Sequence, residues 1–198
     1  SNVTIEGTTA PIFLRLGNRA RPAKEAAPKP PVGAMRNISI SNVVATGASI
    51  TGCAIAGLPG HLIENLTLSN IRIGFNGGGT LEHFNREIPE EEAGYPESTM
   101  FGSLPAYGFY IRHAEGILLD DITLSFDEPD QRPAILCDDV KGLRITGLAA
   151  ATGPETPAQL VLRNTNDAFI ANCPDSANAS FLQLQGNCKN IRVKDSGR

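Results

Sequence analysis

The run Asn65–Ile73, NLTLSNIRI, alternates apolar Leu66, Leu68, Ile71 and Ile73 with polar Thr67, Ser69 and Arg72. A period of two predicts a strand with one buried face. Asn70 breaks the alternation between Leu68 and Ile71. A bend is expected there, because asparagine accepts left-handed backbone angles that most residues avoid. The phrase returns as Asn37–Val43 (NISISNV), Gly116–Leu124 (GILLDDITL), Gly142–Leu148 (GLRITGL), Asn166–Cys173 (NDAFIANC) and Asn190–Ser196 (NIRVKDS). Asn2–Gly7 (NVTIEG) reads as the tail of one more copy. Starts at 37, 65, 116, 142, 166 and 190 are separated by 28, 51, 26, 24 and 24 residues. The doubled gap holds an insertion. Self-similarity at such a period marks a solenoid or array.

A second apolar run precedes each copy. These runs are Pro11–Gly17, Ser49–Ile55, Gly108–Ile111, Pro133–Cys137, Gln159–Leu162 and Phe181–Leu184. Each repeat therefore carries two or three short strands joined by tight turns. The three-and-four spacing of helical repeats is absent. The pattern predicts an all-β chain, a right-handed parallel β-helix of about seven coils stacked at about 4.8 Å. It is expected to form a single domain over residues 1–198, with loop insertions at 18–35 and 75–107.

Composition narrows the class. Apolar residues make up 41% and charged residues 19%, and tryptophan is absent, which suits a packed chain rather than a disordered one. No apolar run approaches a membrane span, so no membrane partner is expected. The net charge of −4 argues against nucleic acid as a partner. No secretory leader opens the chain. Ser1–Ile5 begins inside a repeat, so the chain is expected to continue a longer protein whose earlier coils precede it. The four cysteines, Cys53, Cys137, Cys173 and Cys188, form no CxxC pair. They read as small apolar core residues, with a Cys173–Cys188 bridge as the alternative. No metal or other cofactor is expected.

The insertions carry the candidate chemistry. Asn18–Val32 (NRARPAKEAAPKPPV) is an exposed loop by its Pro, Ala and basic content. It is either a plain surface loop or a basic lip, in which Arg15, Arg19, Arg21 and Lys24 meet carboxylates. The insertion at 75–107 opens with Asn76-Gly77-Gly78-Gly79 and clusters Glu87, Glu90, Glu91 and Glu92. A short helix is expected at Pro89–Ala93. The insertion either covers a flank of the stack or walls a binding site. Asp127–Arg132 (DEPDQR) reads as a turn.

Hydrolysis of a glycosidic bond needs two carboxyl groups about 5–9.5 Å apart. Asp120-Asp121 and Asp138-Asp139 are adjacent pairs, whose side chains point to opposite faces of a strand. Asp121 matches the corner positions Asn42 and Asn70. His61 falls in a turn. His113, beside Arg112 at a strand end, is the histidine placed to meet a sugar. No histidine spacing suggests a metal, GxSxG is absent, and Asn76–Gly79 lacks a phosphate-loop ending. Asn-x-Ser/Thr sequons at Asn2, Asn37, Asn65 and Asn178 mostly follow from the repeat itself.

These phrases, with APIFLRLGNR at Ala10–Arg19 and MFGSLPAYGFYIRHAEG at Met100–Gly116, resemble family 28 glycoside hydrolases, the polygalacturonase and rhamnogalacturonase-like enzymes. The similarity covers the whole chain but only that family's C-terminal half. The resemblance implies a right-handed parallel β-helix and inverting hydrolysis of pectin by a pair of aspartates. The family's series of Asn-Thr-Asp, Asp-Asp, Gly-His-Gly and Arg-Ile-Lys motifs is missing. Asn164-Thr165-Asn166, Asp138-Asp139 and Gly60-His61-Leu62 are only echoes of it. Pro11-Ile12 resembles the strand that follows the Arg-Ile-Lys coil, which places the catalytic aspartates upstream of Ser1.

The expectation is the C-terminal part of a secreted or periplasmic pectin-active hydrolase, inactive by itself. Arg15, Asn18, Arg19, Arg112 and His113 are expected to contact an acidic plant cell-wall polysaccharide. The rivals are a non-catalytic carbohydrate-binding or adhesive β-helix and a pectate-lyase-like enzyme. The latter needs a calcium cage, which the scattered acids do not supply.

Overall fold

The computed structural model describes residues 2–20, 22, 28–175, 178 and 180–194. Arg21 and Lys24 of the expected basic lip, and Ser196 at the end of the last copy, lie outside the described residues.

Eleven strands join in a single sheet. In chain order they are β1 (Val3–Glu6), β2 (Phe13–Arg15), β3 (Met35–Ala48), β4 (Cys53–Ala56), β5 (Ile63–Gly77), β6 (Phe109–Glu128), β7 (Ile135–Ala150), β8 (Leu160–Arg163), β9 (Asn166–Ala171), β10 (Leu182–Gln185) and β11 (Lys189–Lys194). Every pairing between them is parallel. Among the described residues one helix, α1 (Leu81–Asn85), interrupts them. It lies ahead of the expected Pro89–Ala93, where proline and the packing of Glu90 favour an irregular path.

The sequence repeats pair with one another in order. Ile38 sits beside Leu66, then Ile117, Leu143, Ala168 and Ile191 on successive strands. Leu66, Leu68, Ile117, Leu119, Leu143 and Ile145 are buried in one apolar core that runs the length of the ladder. Truncating one of these leucines to alanine costs roughly 2–5 kcal/mol, the transfer loss plus the cavity left behind.

The bends are also in register. Asn37, Asn65, Gly116, Gly142, Asp167 and Asn190 occupy one column, and each has φ between 55° and 69°. Asn42, Asn70, Asp121, Gly147 and Asn172 form a second such column. Asn, Asp and Gly are the residues that take this conformation at least cost. Stacked corners let one amide bond the next. Asn65 Nδ2 donates to Asn37 Oδ1 at 3.1 Å and Asn70 Nδ2 to Asn42 Oδ1 at 2.8 Å. The fifth copy is therefore aligned on Asp167, one residue later than the expected start at Asn166.

A second apolar cluster lies outside the first. Residues of the 75–107 insertion, Phe84, Phe101 and Leu104, pack against Ala54, Tyr110, Leu136 and Val161. Strand β4 is consequently buried on both faces. The base of the insertion is held by Asp130 and Arg132, in the connection between β6 and β7 that the sequence reads as a turn. Both are essentially inaccessible and pair at 2.7 Å. Asp130 also accepts from the Gly79 N–H at 2.9 Å, and Arg132 donates to the carbonyls of Ile50 and Leu104. A side chain at Gly79 would run into the Arg132 guanidinium. Cys53, Cys137 and Cys173 are buried and Cys188 partly so, and all four are free thiols.

Candidate functional site

Strands β2, β4, β6, β7, β8 and β10 set one outward row: Arg15, Ala56, Arg112, Asp138, Arg163 and Gln185 are side by side. The next position along is a third bend, where His113, Asp139, Asn164 and Gly186 all have positive φ. For a histidine this backbone costs on the order of 1 kcal/mol and needs its surroundings to hold it.

The insertion lies over this row. Arg112 donates to the carbonyls of Ile88 at 2.6 Å and Pro89 at 3.0 Å, and pairs with the Glu90 carboxylate at 3.2 Å. Arg15 donates to the Gly57 carbonyl at 2.7 Å and to the Glu90 carbonyl. Both guanidinium groups flank the Phe101 ring, at 5.3 and 6.0 Å from its centre. Arg15 is 8% exposed and Arg112 5%. Burial, and then repulsion from Arg112, lower the Arg15 pKa, while Glu90 opposes both.

His113 joins the two layers. Its Nδ1 is 2.7 Å from Asp139 Oδ2 and its Nε2 is 3.0 Å from Glu90 Oε1. An imidazole donates to both carboxylates only when it carries both N–H protons. Beside it, Asp138 accepts from Arg163 at 3.5 Å and from Asn164 at 3.4 Å. Asn18 donates its N–H to the Glu92 carbonyl at 2.6 Å. Exposed Arg19 places its guanidinium 4.6 Å from the ring centre of Tyr95.

All five sequence candidates thus converge on one segment, residues 88–95. Arg15, Arg112 and His113 hold it from beneath, and Asn18 and Arg19 touch it from the side. Glu90, Asp138, Asp139 and Arg163 complete the group; the sequence weighs Asp138-Asp139 only as a carboxylate pair, and none of the four is expected from it to contact sugar. Register was the signal for Asp139 and Arg163, because Arg112 pairs with Asp138 and Asp138 with Arg163 on successive strands. The Arg163 carbonyl accepts from the buried Thr165 hydroxyl, which fixes the turn into β9. Glu90 had no local signal, since four glutamates share its stretch.

Chemically, the group is a set of matched charges. Each of Glu90, Asp138 and Asp139 is engaged by arginine or histidine, and the His113 ring occupies the space between Glu90 and Asp139. Hydrolysis of a sugar linkage needs two carboxyl groups with the bond between them, and between Glu90 and Asp139 that place is taken by the His113 ring. Among the described residues no cluster of three or more His, Cys, Asp or Glu is placed to hold a metal ion.

No family model matches the chain, and no curated protein matches it. Among solved structures it is similar to one described as a "putative glycosyl hydrolase" from Parabacteroides merdae, at 12% identity, over 83% of this chain and 79% of that one. The TM-score is 0.35, too low for the likeness to carry an argument about function.

Proposed function

We propose that the chain winds as a right-handed parallel β-helix of about seven coils and forms the C-terminal part of a secreted or periplasmic pectin-active glycoside hydrolase. The observation that carries this reading is the register. Sequence repeats that resemble those of family 28 glycoside hydrolases pair strand by strand, and the stretch MFGSLPAYGFYIRHAEG contains the Arg112–His113 corner. The catalytic aspartates would precede Ser1. Within this chain, Arg19 and Asn18 would meet an acidic sugar directly. Arg15, Arg112 and His113 would act by holding segment 88–95 as a wall beside it.

A second reading is a non-catalytic, polysaccharide-binding β-helix. Its support is the same group, in which every carboxylate is paired, a state that the first reading shares. Reducing-sugar release from homogalacturonan and rhamnogalacturonan separates the two, with this chain compared with one extended upstream. Release by the longer form alone supports the hydrolase. Release by the chain itself overturns the assignment of the acids to upstream residues. Binding without release by either form favours the second reading.

A further inference from the structure

The opposite branch of the sheet carries an open row that the functional reading does not use. Thr67, Leu118, Arg144, Phe169 and Arg192 hold one register position on β5, β6, β7, β9 and β11. Their neighbours Leu143, Ile145, Ala168 and Ile170 are buried, so this row faces outward. The Arg144 guanidinium lies over the Phe169 ring, 4.8 Å from its centre. Arg192 stands on the other side of the ring, two strand spacings from Arg144, or roughly 10 Å. Arg144, Phe169, Arg192, Asp167 and Asn190 line an open cleft of about 510 Å³.

Three features of this cleft point to one ligand chemistry. A guanidinium stacked on a ring keeps its in-plane N–H donors free, and their fork matches a carboxylate. The phenyl ring offers an apolar platform between two cations. Asp167 and Asn190 supply polar groups for hydroxyls, with Asn190 Nδ2 donating to Asp167 Oδ1 at 2.8 Å. Among the described residues neither Arg144 nor Arg192 makes an ion pair. Lys189 and Lys194 extend the positive field along β11, in a chain whose net charge is −4. Cations on an edge strand also discourage edge-to-edge pairing. That role explains neither Arg144, two strands inward, nor the ring between the arginines.

We propose that this cleft is an accessory binding site for an acidic sugar unit of a polysaccharide. One of the Arg144 and Arg192 forks takes its carboxylate and the other that of a neighbouring unit, Phe169 gives an apolar contact, and Asp167 with Asn190 meets hydroxyls. The site shares only the acidic-sugar ligand with the functional reading and lies on a different branch of the sheet.

The test is affinity electrophoresis of the full chain through gels holding homogalacturonan, neutral galactan or dextran sulfate. The variants are Arg144→Gln with Arg192→Gln, Phe169→Leu, and exposed Arg36→Gln as a reference, each checked for an unchanged melting temperature. Retardation by homogalacturonan is expected to weaken about tenfold or more in the double variant. Phe169→Leu should weaken it on homogalacturonan and leave dextran sulfate unaffected. Unchanged binding in the double variant overturns the site and leaves the hydrolase reading standing. Retardation by dextran sulfate alone, or by no gel, also overturns it. Sugar release in the hydrolysis assay is a separate readout, so failure of either proposal is visible by itself.

Discussion

The chain places arginines outward on two branches of the same sheet, with opposite results. Arg15 ends β2, Arg112 stands just before the bend at His113 in β6, and both are buried. Arg144 and Arg192 stand in LRI and IRV and are exposed. Local sequence hardly separates the two pairs, since each arginine follows or precedes a core residue on a strand. The difference is what lies on top. Insertion 75–107 covers the first branch and turns its arginines into donors for the carbonyls of Ile88, Pro89 and Glu90. Nothing among the described residues covers the second. The first pair therefore contributes to structure and the second remains available to a ligand.

The largest test of that contrast removes the clamp beneath the insertion. Asp130→Ala leaves Arg132 buried without its partner, a change worth about 3–5 kcal/mol. The melting temperature should fall by about 10 °C, and protease should cut within 86–100 first. Protection equal to the wild type would show that the insertion is held by its apolar contacts alone.

Next comes a direct comparison of the two arginine classes. Arg112→Ala strands the Ile88 and Pro89 carbonyls and should cost about 2–3 kcal/mol in urea unfolding. Arg144→Ala should stay within about 0.5 kcal/mol. Equal losses would break the comparison.

Acid sharpens it further. Burial by itself would raise the Asp130 pKa. Hydrogen bonds and charge from Arg132, together with the Gly79 N–H, outweigh it and lower the pKa below its ordinary 3.8. A lowered folded-state pKa gives stability that is fully present above the unfolded value and lost as pH falls through the folded one. The wild type should therefore lose stability below about pH 4, and Asp130→Asn should show a flatter acid limb in urea midpoints measured against pH.

The smallest effect concerns the thiols. Burial pushes the Cys53 pKa up to about 12 and raises those of Cys137 and Cys173. In native protein a thiol reagent should modify Cys188 well before the other three. Four equal rates would show that the core opens on the labelling timescale.

Much of the fold was legible because its periodicity is local. Apolar alternation at Leu66, Leu68, Ile71 and Ile73 defines a buried face, and Asn70 marks its bend. What the sequence leaves hidden falls where a residue's role is set by a distant neighbour. DEPDQR has the composition of a turn, yet Asp130 and Arg132 are buried because the insertion folds over them. Helix α1 begins at Leu81 because Phe84 packs into the outer cluster, a contact that no window of the insertion reveals.

The candidate site divides in the same way. Arg112 and His113 were visible as charged residues closing a strand, and the repeat period leads from them to Asp138 and Asp139. Glu90 was one glutamate among four, and only the path of the insertion brings it against His113 and Arg112.

By itself the sequence determined the repeats, the strands and the columns of Asn, Asp and Gly at the bends. These follow from side-chain pattern and backbone preference within a few residues. Tertiary structure alone decided which arginines are covered, which carboxylates are paired, and which face stays open. Burial and charge pairing depend on segments brought together from far apart in the chain, and composition does not record that proximity.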